Sequence, residues 1–239
     1  MKKNLAIILA GGTGSRIEGE LPKQFLTLAG KSILSRTIMK FEAHLHIHDV
    51  FLVTNPEYRD KSEAVVRSGG FEKVVKILNG GDTRQDSSRI GVTAAGPETY
   101  GKVLIHDAAR PFVSKEIIDH LLEKLDTCAA VNVAIPSPDT IIEIDDGNFI
   151  KDVPDRRYLR RVQTPQGFQL PLIREAHRLA LENNITNATD DCSLILKLNL
   201  APVCVIEGSP LNIKITYPID LQMAEKIREI ESEKKAGIW

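Results

Sequence analysis

Leu5-Ala6-Ile7-Ile8-Leu9-Ala10-Gly11-Gly12-Thr13-Gly14-Ser15-Arg16, followed by Pro22-Lys23-Gln24, decides how this chain of 239 residues is built. Leu5 to Leu9 is a short apolar run that reads as a buried strand. The glycines after it form a loop whose amide groups can approach an anion closely, because no Cβ stands in the way. Arg16 and Lys23 place two cations beside this bare-backbone cradle. The combination suits a triphosphate and the charge that develops when its α-phosphorus is attacked. A tight strand-to-helix turn with solvated charges is the plainer reading of the glycines alone. Arg16 and Pro22-Lys23-Gln24 at this spacing argue against it.

Two other phosphate loops are excluded. Gly30-Lys31-Ser32 supplies the end of a Walker pattern, but Phe25 stands where its first glycine belongs. Gly12 and Gly14 begin a dinucleotide fingerprint, but Ile17 occupies the third glycine position.

Hydrophobic content of 42% and charged content of 26% are ordinary for a globular protein, and this length allows a full core without metal or disulfide staples. A net charge of −1 gives no electrostatic case for general nucleic-acid binding. No apolar run reaches membrane-spanning length, and the N-terminus has no signal-peptide pattern, so a cytoplasmic protein is expected. Cys128, Cys192 and Cys204 are few and unclustered, which predicts small buried thiols and no disulfide framework.

Strand-like runs at Leu5–Leu9, Val50–Val53, Val74–Leu78, Val103–Ile105, Ala130–Ile135 and Val203–Ile206 alternate with helical patterns at Ile33–Phe41, Pro56–Arg67, Gln85–Ala95 and Glu116–Leu125. This predicts a mainly parallel sheet with helices on both faces and ligands at the carboxyl ends of its strands. Further helices are expected near Leu170–Glu182, Asp190–Leu198 and Pro218–Ile230. Two β-prone runs around Asp145-Asp146-Gly147 read as a hairpin. An isolated hairpin is marginal in water. It packs either on its own core or, as an arm, on a second subunit.

Gly80-Gly81-Asp82-Thr83-Arg84-Gln85-Asp86-Ser87 follows a strand and opens a helix, where free amides, a carboxylate and a hydroxyl can read a base or a ribose. Plain helix capping by Asp82 or Thr83 explains it equally. His106-Asp107-Ala108-Ala109-Arg110-Pro111 ends another strand. Asp107 there can hold Mg²⁺ against triphosphate oxygens. Arg110 either grips an acceptor phosphate or pairs with Asp107.

Arg156, Arg157, Arg160 and Arg161 lie within six residues but lack interleaved aromatics, which disfavours RNA and leaves a phosphorylated ligand or a solvated surface. Thr189-Asp190-Asp191 reads as a helix N-terminus, with acidic residues suited to the dipole. Asn212-Ile213-Lys214-Ile215-Thr216 reads as a strand with Asn212, Lys214 and Thr216 on one face. His44, His46 and His48 read as surface histidines and not as metal ligands.

Taken in order, these motifs, with Gln163-Thr164-Pro165-Gln166, span nearly the whole chain. The chain resembles the sugar- and polyol-phosphate cytidylyltransferases, most of all those acting on 2-C-methyl-D-erythritol 4-phosphate in isoprenoid biosynthesis. Ribitol-5-phosphate cytidylyltransferases are close relatives. The resemblance implies a Rossmann-like nucleotidyltransferase domain over residues 1–239 with a β-arm at about residues 137–160. It implies transfer of CMP from CTP to a polyol phosphate, with Mg²⁺ as cofactor, in a homodimer joined through the arm.

By the same resemblance, Arg16 and Lys23 are catalytic. Ala10, Gly11, Gly12, Gly14, Gly81, Asp82 and Ser87 bind the nucleotide. Asp107 holds the metal, and Arg110, Arg156, Thr189 and Lys214 hold the acceptor, with Arg156 placed to act in the neighbouring molecule. Thr83 to Ser87 and Thr189 to Leu194 resemble the methylerythritol enzymes. Ala10-Gly11-Gly12 and Asp146 to Pro154 resemble the ribitol branch, and Arg160 replaces an aromatic residue usual in both. Methylerythritol phosphate is the expected acceptor and ribitol 5-phosphate the alternative. A nucleotide-binding protein without catalysis is the non-enzymatic alternative.

Overall fold

The computed structural model describes residues 2–12, 21–186 and 188–235. Its strands are β1 (Lys3–Ala10), β2 (Thr27–Leu28), β3 (Lys31–Ser32), β4 (Asp49–Thr54), β5 (Val74–Asn79), β6 (Tyr100–Asp107), β7 (Ala130–Pro136), β8 (Glu143–Ile144), β9 (Ile150–Asp152), β10 (Arg160–Gln169) and β11 (Val203–Glu207). Its helices are α1 (Ile33–Glu42), α2 (Arg59–Gly69), α3 (Arg84–Thr93), α4 (Lys115–Lys124), α5 (Leu170–Glu182), α6 (Asp191–Lys197) and α7 (Pro218–Lys235). Seven strands form one sheet in the order β11-β7-β10-β6-β1-β4-β5. All neighbours are parallel except β10, which runs antiparallel to both β6 and β7.

The pleat of β1 explains the layers. Ala6, Ile8 and Ala10 enter one core with Leu34, Ile38 and Phe41 of α1 and Ile118 and Leu121 of α4. Leu5, Ile7 and Leu9 enter the opposite core with Val92 of α3, Ile173 of α5 and Leu194 of α6. A strand buried on both faces must be apolar throughout, which is why Leu5 to Leu9 shows no polar alternation. A third, smaller core joins Ala224 and Ile227 of α7 to Leu28, Ile33, Phe112 and Ile215. Side-chain caps start four helices: Ser32 on α1, Thr83 on α3, Ser114 on α4 and Asp190 on α6.

Several expectations are corrected. The segment 160–169 is an internal strand, where the sequence shows only an arginine cluster and a polar motif. Residues 212–216 are not a strand; Asn212 and Ile215 are buried there while Lys214 reaches outward. Cys128 and Cys204 form a disulfide, because the end of α4 and the start of β11 converge beside β7. Only Cys192 is a free buried thiol. His44 is buried, not superficial, with Nε2 3.1 Å from Asp119 Oδ1. Burial holds its imidazole below the usual range.

The hairpin of β8 and β9 forms around Asp145, whose Oδ1 accepts the amides of Gly147 (2.9 Å) and Phe149 (3.0 Å). The left-handed residue is Asn148 (φ 65°), an asparagine use that turns tolerate. No helix among the described residues is long and apolar enough to cross a membrane.

β10 can lie under α4 because Gly167 has no side chain: a Cβ there would collide with Leu121 and would lie 2.9 Å from Leu125 Cδ1. Both leucines are fully or almost fully buried and have nowhere to withdraw. Gly167→Ala is therefore expected to lower stability by about 1–3 kcal/mol. Urea unfolding checks this, and an unchanged midpoint would show that α4 is free to shift.

Candidate active site

The chain passes from β1 to β4 and β5 on one side, then crosses to β6 on the other. The carboxyl end of β1 is therefore a topological switch point, the place where open α/β sheets bind ligands. A cleft of about 290 Å³ opens there. It brings together Ala10, Gly11, Gly12, Lys23, Gly81, Asp82, Ser87, Asp107 and Lys214, all expected at the site. Gly14 and Arg16 lie outside the described residues. Arg110, Arg156 and Thr189 do not line the cleft.

The glycine loop is held from below by a residue whose role the sequence did not reveal. Gln24 is buried, and its Nε2 donates to Ala10 O (2.8 Å) and Gly12 O (3.0 Å). Pro22 starts the single 3-10 turn that carries Lys23 and Gln24, so loop and lysine share one support. On the facing wall, Gly80 N donates to Thr54 O (2.7 Å), which draws the loop after β5 toward β1. A Cβ on Gly81 would lie 2.5 Å from Cβ of Asp86, so glycine is required by close approach to α3. Thr83 provides the cap: Oγ1 accepts from Asp86 N (3.0 Å) and donates to Asp86 Oδ2 (2.8 Å). Asp82 and Ser87 are left facing the cleft.

Asp107 forms the floor. Its Oδ2 lies 2.7 Å from Lys214 Nζ and its Oδ1 3.2 Å from Arg84 Nε. Burial alone would raise its pKa, but Arg84 and Lys214 outweigh that and hold the carboxyl well below the usual range. Its backbone is fixed as well. Asp107 N donates to Thr164 Oγ1 (3.0 Å), Thr164 donates to His106 Nδ1 (3.1 Å), and His106 Nε2 donates to Arg110 O (3.0 Å). This relay requires a neutral imidazole, in keeping with burial, which lowers the His106 pKa to about 4.

Arg84 is the main residue the sequence reading left without a role. A cation in the first turn of a helix opposes the helix dipole, and at the start of α3 two carboxylates offset it. Its Nη1 binds Asp191 Oδ2 at 2.8 Å while its Nε binds Asp107. Asp191 lies in the first turn of α6, as expected of a residue suited to its dipole. It is also 1% exposed and accepts Ser88 Oγ at 2.5 Å, with His177 Nε2 3.5 Å away. Burial would raise its pKa, but Arg84, His177 and Ser88 lower it below the usual range.

Arg110 does not pair with Asp107 as one reading proposed. Its guanidinium donates to Asn212 O (2.8 Å) and Val162 O (3.4 Å). Arg156 is exposed on a 3-10 turn after the hairpin, and Thr189 is exposed before α6.

Comparison with known proteins agrees with this geometry. The family described as IspD, 2-C-methyl-D-erythritol 4-phosphate cytidylyltransferase, matches residues 5–229. A 2-C-methyl-D-erythritol 4-phosphate cytidylyltransferase of Thermobifida fusca is 40% identical over 93% of this chain and 92% of its own length. A bifunctional ribulose 5-phosphate reductase/CDP-ribitol pyrophosphorylase, Bcs1 of Haemophilus influenzae, is also 40% identical, over 96% of this chain but only 49% of its own. The crystal structure of 4-diphosphocytidyl-2C-methyl-D-erythritol synthase from Anaerococcus prevotii superposes with a TM-score of 0.85 at 29% identity, covering 95% and 96% of the two chains.

The depressed Asp191 carboxyl contributes stability that is present above its unfolded pKa and is lost as pH falls through the folded one. Asp191→Asn is therefore expected to destabilise the protein by roughly 3 kcal/mol at pH 7, since it leaves part of a buried guanidinium unpaired. The deficit should shrink as pH drops below about 4. Urea unfolding of both proteins across pH 3–7 measures it, and a pH-independent difference would contradict an ionised Asp191.

Proposed function

The chain belongs to the 2-C-methyl-D-erythritol 4-phosphate cytidylyltransferase family of CTP-dependent nucleotidyltransferases, and we propose that it transfers CMP from CTP to 2-C-methyl-D-erythritol 4-phosphate with release of pyrophosphate. The observation that carries this reading is the cleft itself: a glycine loop, Lys23, Asp82, Ser87 and Asp107 converge at the switch point of a sheet that matches the family from end to end.

A phosphate monoester is already a nucleophile near neutral pH, so catalysis is positioning and charge stabilisation. Lys23, with Arg16, stabilises charge on the α-phosphoryl group as the acceptor oxygen attacks and pyrophosphate leaves. The amides of Gly11 and Gly12 cradle the triphosphate, while Gly81, Asp82 and Ser87 read the cytidine. Lys214 reaches from the floor toward the acceptor phosphate, with Arg110 fixing the turn beside it.

Among the described residues, no group of three or more His, Cys, Asp and Glu is placed to hold a metal ion. Asp107, ionised at the floor, fits magnesium, which takes one or two carboxylates and fills its sphere with phosphate oxygens and water. Mg²⁺ bound there would offset part of the negative charge of the triphosphate. Ribitol 5-phosphate is the alternative acceptor, favoured by the likeness to the CDP-ribitol pyrophosphorylase.

The hairpin supports a homodimer. Ile144, Phe149 and Ile150 are more than half exposed, with Phe149 at 73%, so the arm does not lie on its own core. A hairpin this apolar is stabilised by packing on a second subunit, where Arg156 at its base would meet the neighbour's acceptor.

Lys23→Ala is expected to lower kcat by roughly 100-fold or more with little change in CTP affinity, and an unchanged kcat would remove its transition-state role. Pyrophosphate release with CTP and Mg²⁺, offering both polyol phosphates, assigns the acceptor. Light scattering should give a dimer that Phe149→Glu shifts to monomer; a wild-type monomer would refute the shared arm.

A further inference from the structure

A second cavity, of about 320 Å³, lies between α1, the turn after Arg110 and α7, and shares no lining residue with the nucleotide cleft. Arg36 and Lys40 of α1, Lys115 of α4 and Arg228 of α7 face it, against one carboxylate of the lining, Glu231. Glu231 is divided between two of them, 3.1 Å from Lys40 and 3.3 Å from Arg228. Lys115 is paired behind the wall with Asp119 at 2.6 Å. In the lining itself four cations meet one carboxylate, while Glu225, Glu229 and Glu233 share an adjoining pocket with Arg228.

The cluster is anchored on one fixed member. Arg36 is 9% exposed, and its guanidinium is locked by bonds to the carbonyls of Leu28 and Ala29, both at 2.5 Å. Arg228 lies close enough to disfavour the Arg36 charge, after burial itself. Nε of Arg228 is buried without a protein partner. Like charges held together around a partly desolvated cavity are stabilised by an anion that brings several acceptors at once.

We propose that this cavity is a second ligand site, for a small phosphoryl anion, gripped by Arg228, Lys40 and Lys115 over the fixed guanidinium of Arg36. Its phosphoryl group belongs either to free pyrophosphate or to a small organic phosphate, and both present the same tetrahedral set of acceptors. The proposal does not depend on which acceptor the nucleotide cleft takes.

Calorimetric titration with inorganic pyrophosphate and, separately, with butyl phosphate tests it on the intact protein without Mg²⁺. The wild type is expected to show two binding events for pyrophosphate. Arg228→Ala and Lys115→Ala should each weaken one event about tenfold or more and leave the other unchanged, while Lys214→Ala affects only that other event. Lys115 is an exposed residue at a helix start, so its variant separates lost binding from lost folding. Butyl phosphate sharing the Arg228-dependent event marks an organic phosphate site, and its exclusion marks a pyrophosphate site. A single event, or two that are both indifferent to Arg228→Ala and Lys115→Ala, would overturn the proposal.

Discussion

The top of the sheet is arranged around one carboxylate. Asp107 ends a buried strand, and a buried carboxylate remains ionised only if its neighbours repay the lost hydration. Two cations do so from different directions, Arg84 from α3 and Lys214 from the segment after β11. Because Arg84 also binds Asp191, the charge requirement of Asp107 reaches α6. Elements far apart in sequence are thereby bound to one point at the switch of the sheet. An ionised carboxylate beside a glycine loop suits a triphosphate only with a cation between them, the place proposed for Mg²⁺.

The second constraint is β10, among the described residues the only antiparallel strand of the large sheet. Its register with β7 breaks between Gln163 and Gly167, and Pro165 in that interval has no amide to give to the ladder. The side chains of the irregular stretch serve as connectors. Gln163 Nε2 donates to Ser209 O (2.8 Å), Thr164 accepts the Asp107 amide, and Gln166 accepts the Asp191 amide at 3.0 Å while donating to Asp190 at 2.8 Å. Three residues of one strand thus position the loop leading to Lys214, the backbone of Asp107 and the start of α6. Bulges beside active sites commonly re-aim side chains in this way.

This explains which parts were legible in the sequence. Strands β1, β4, β6 and β7 are buried on two faces and had to be written in apolar residues, so periodicity found them. Strand β10 is stabilised in its middle by hydrogen bonds and begins with exposed arginines, so it carries no apolar signature. Residues 212–216 alternate like a strand, yet Asn212 is buried through its amide, which donates to Thr164 O at 2.9 Å, and Ile215 through the α7 core. The glycine loop and Asp107 were readable because their chemistry is local. Arg84 and the pairing of Cys128 with Cys204 were not, since each partnership spans distant segments that only the fold brings together.

The exposed hairpin and the buried charge network answer opposite physical demands. Inside the subunit, each of Asp107 and Asp191 is matched to Arg84, and polar side chains satisfy the backbone around them. At the hairpin, Phe149 and Ile150 are left in water by a chain with ample core elsewhere. Apolar surface of that kind marks an interaction site. The same segment carries Arg156, which does not line its own cleft. An acceptor site completed by a neighbour's arginine would tie the arm's burial to the presence of a second subunit. Positioning of the nucleotide would then be a property of the single chain, and gripping of the acceptor a property of the assembly.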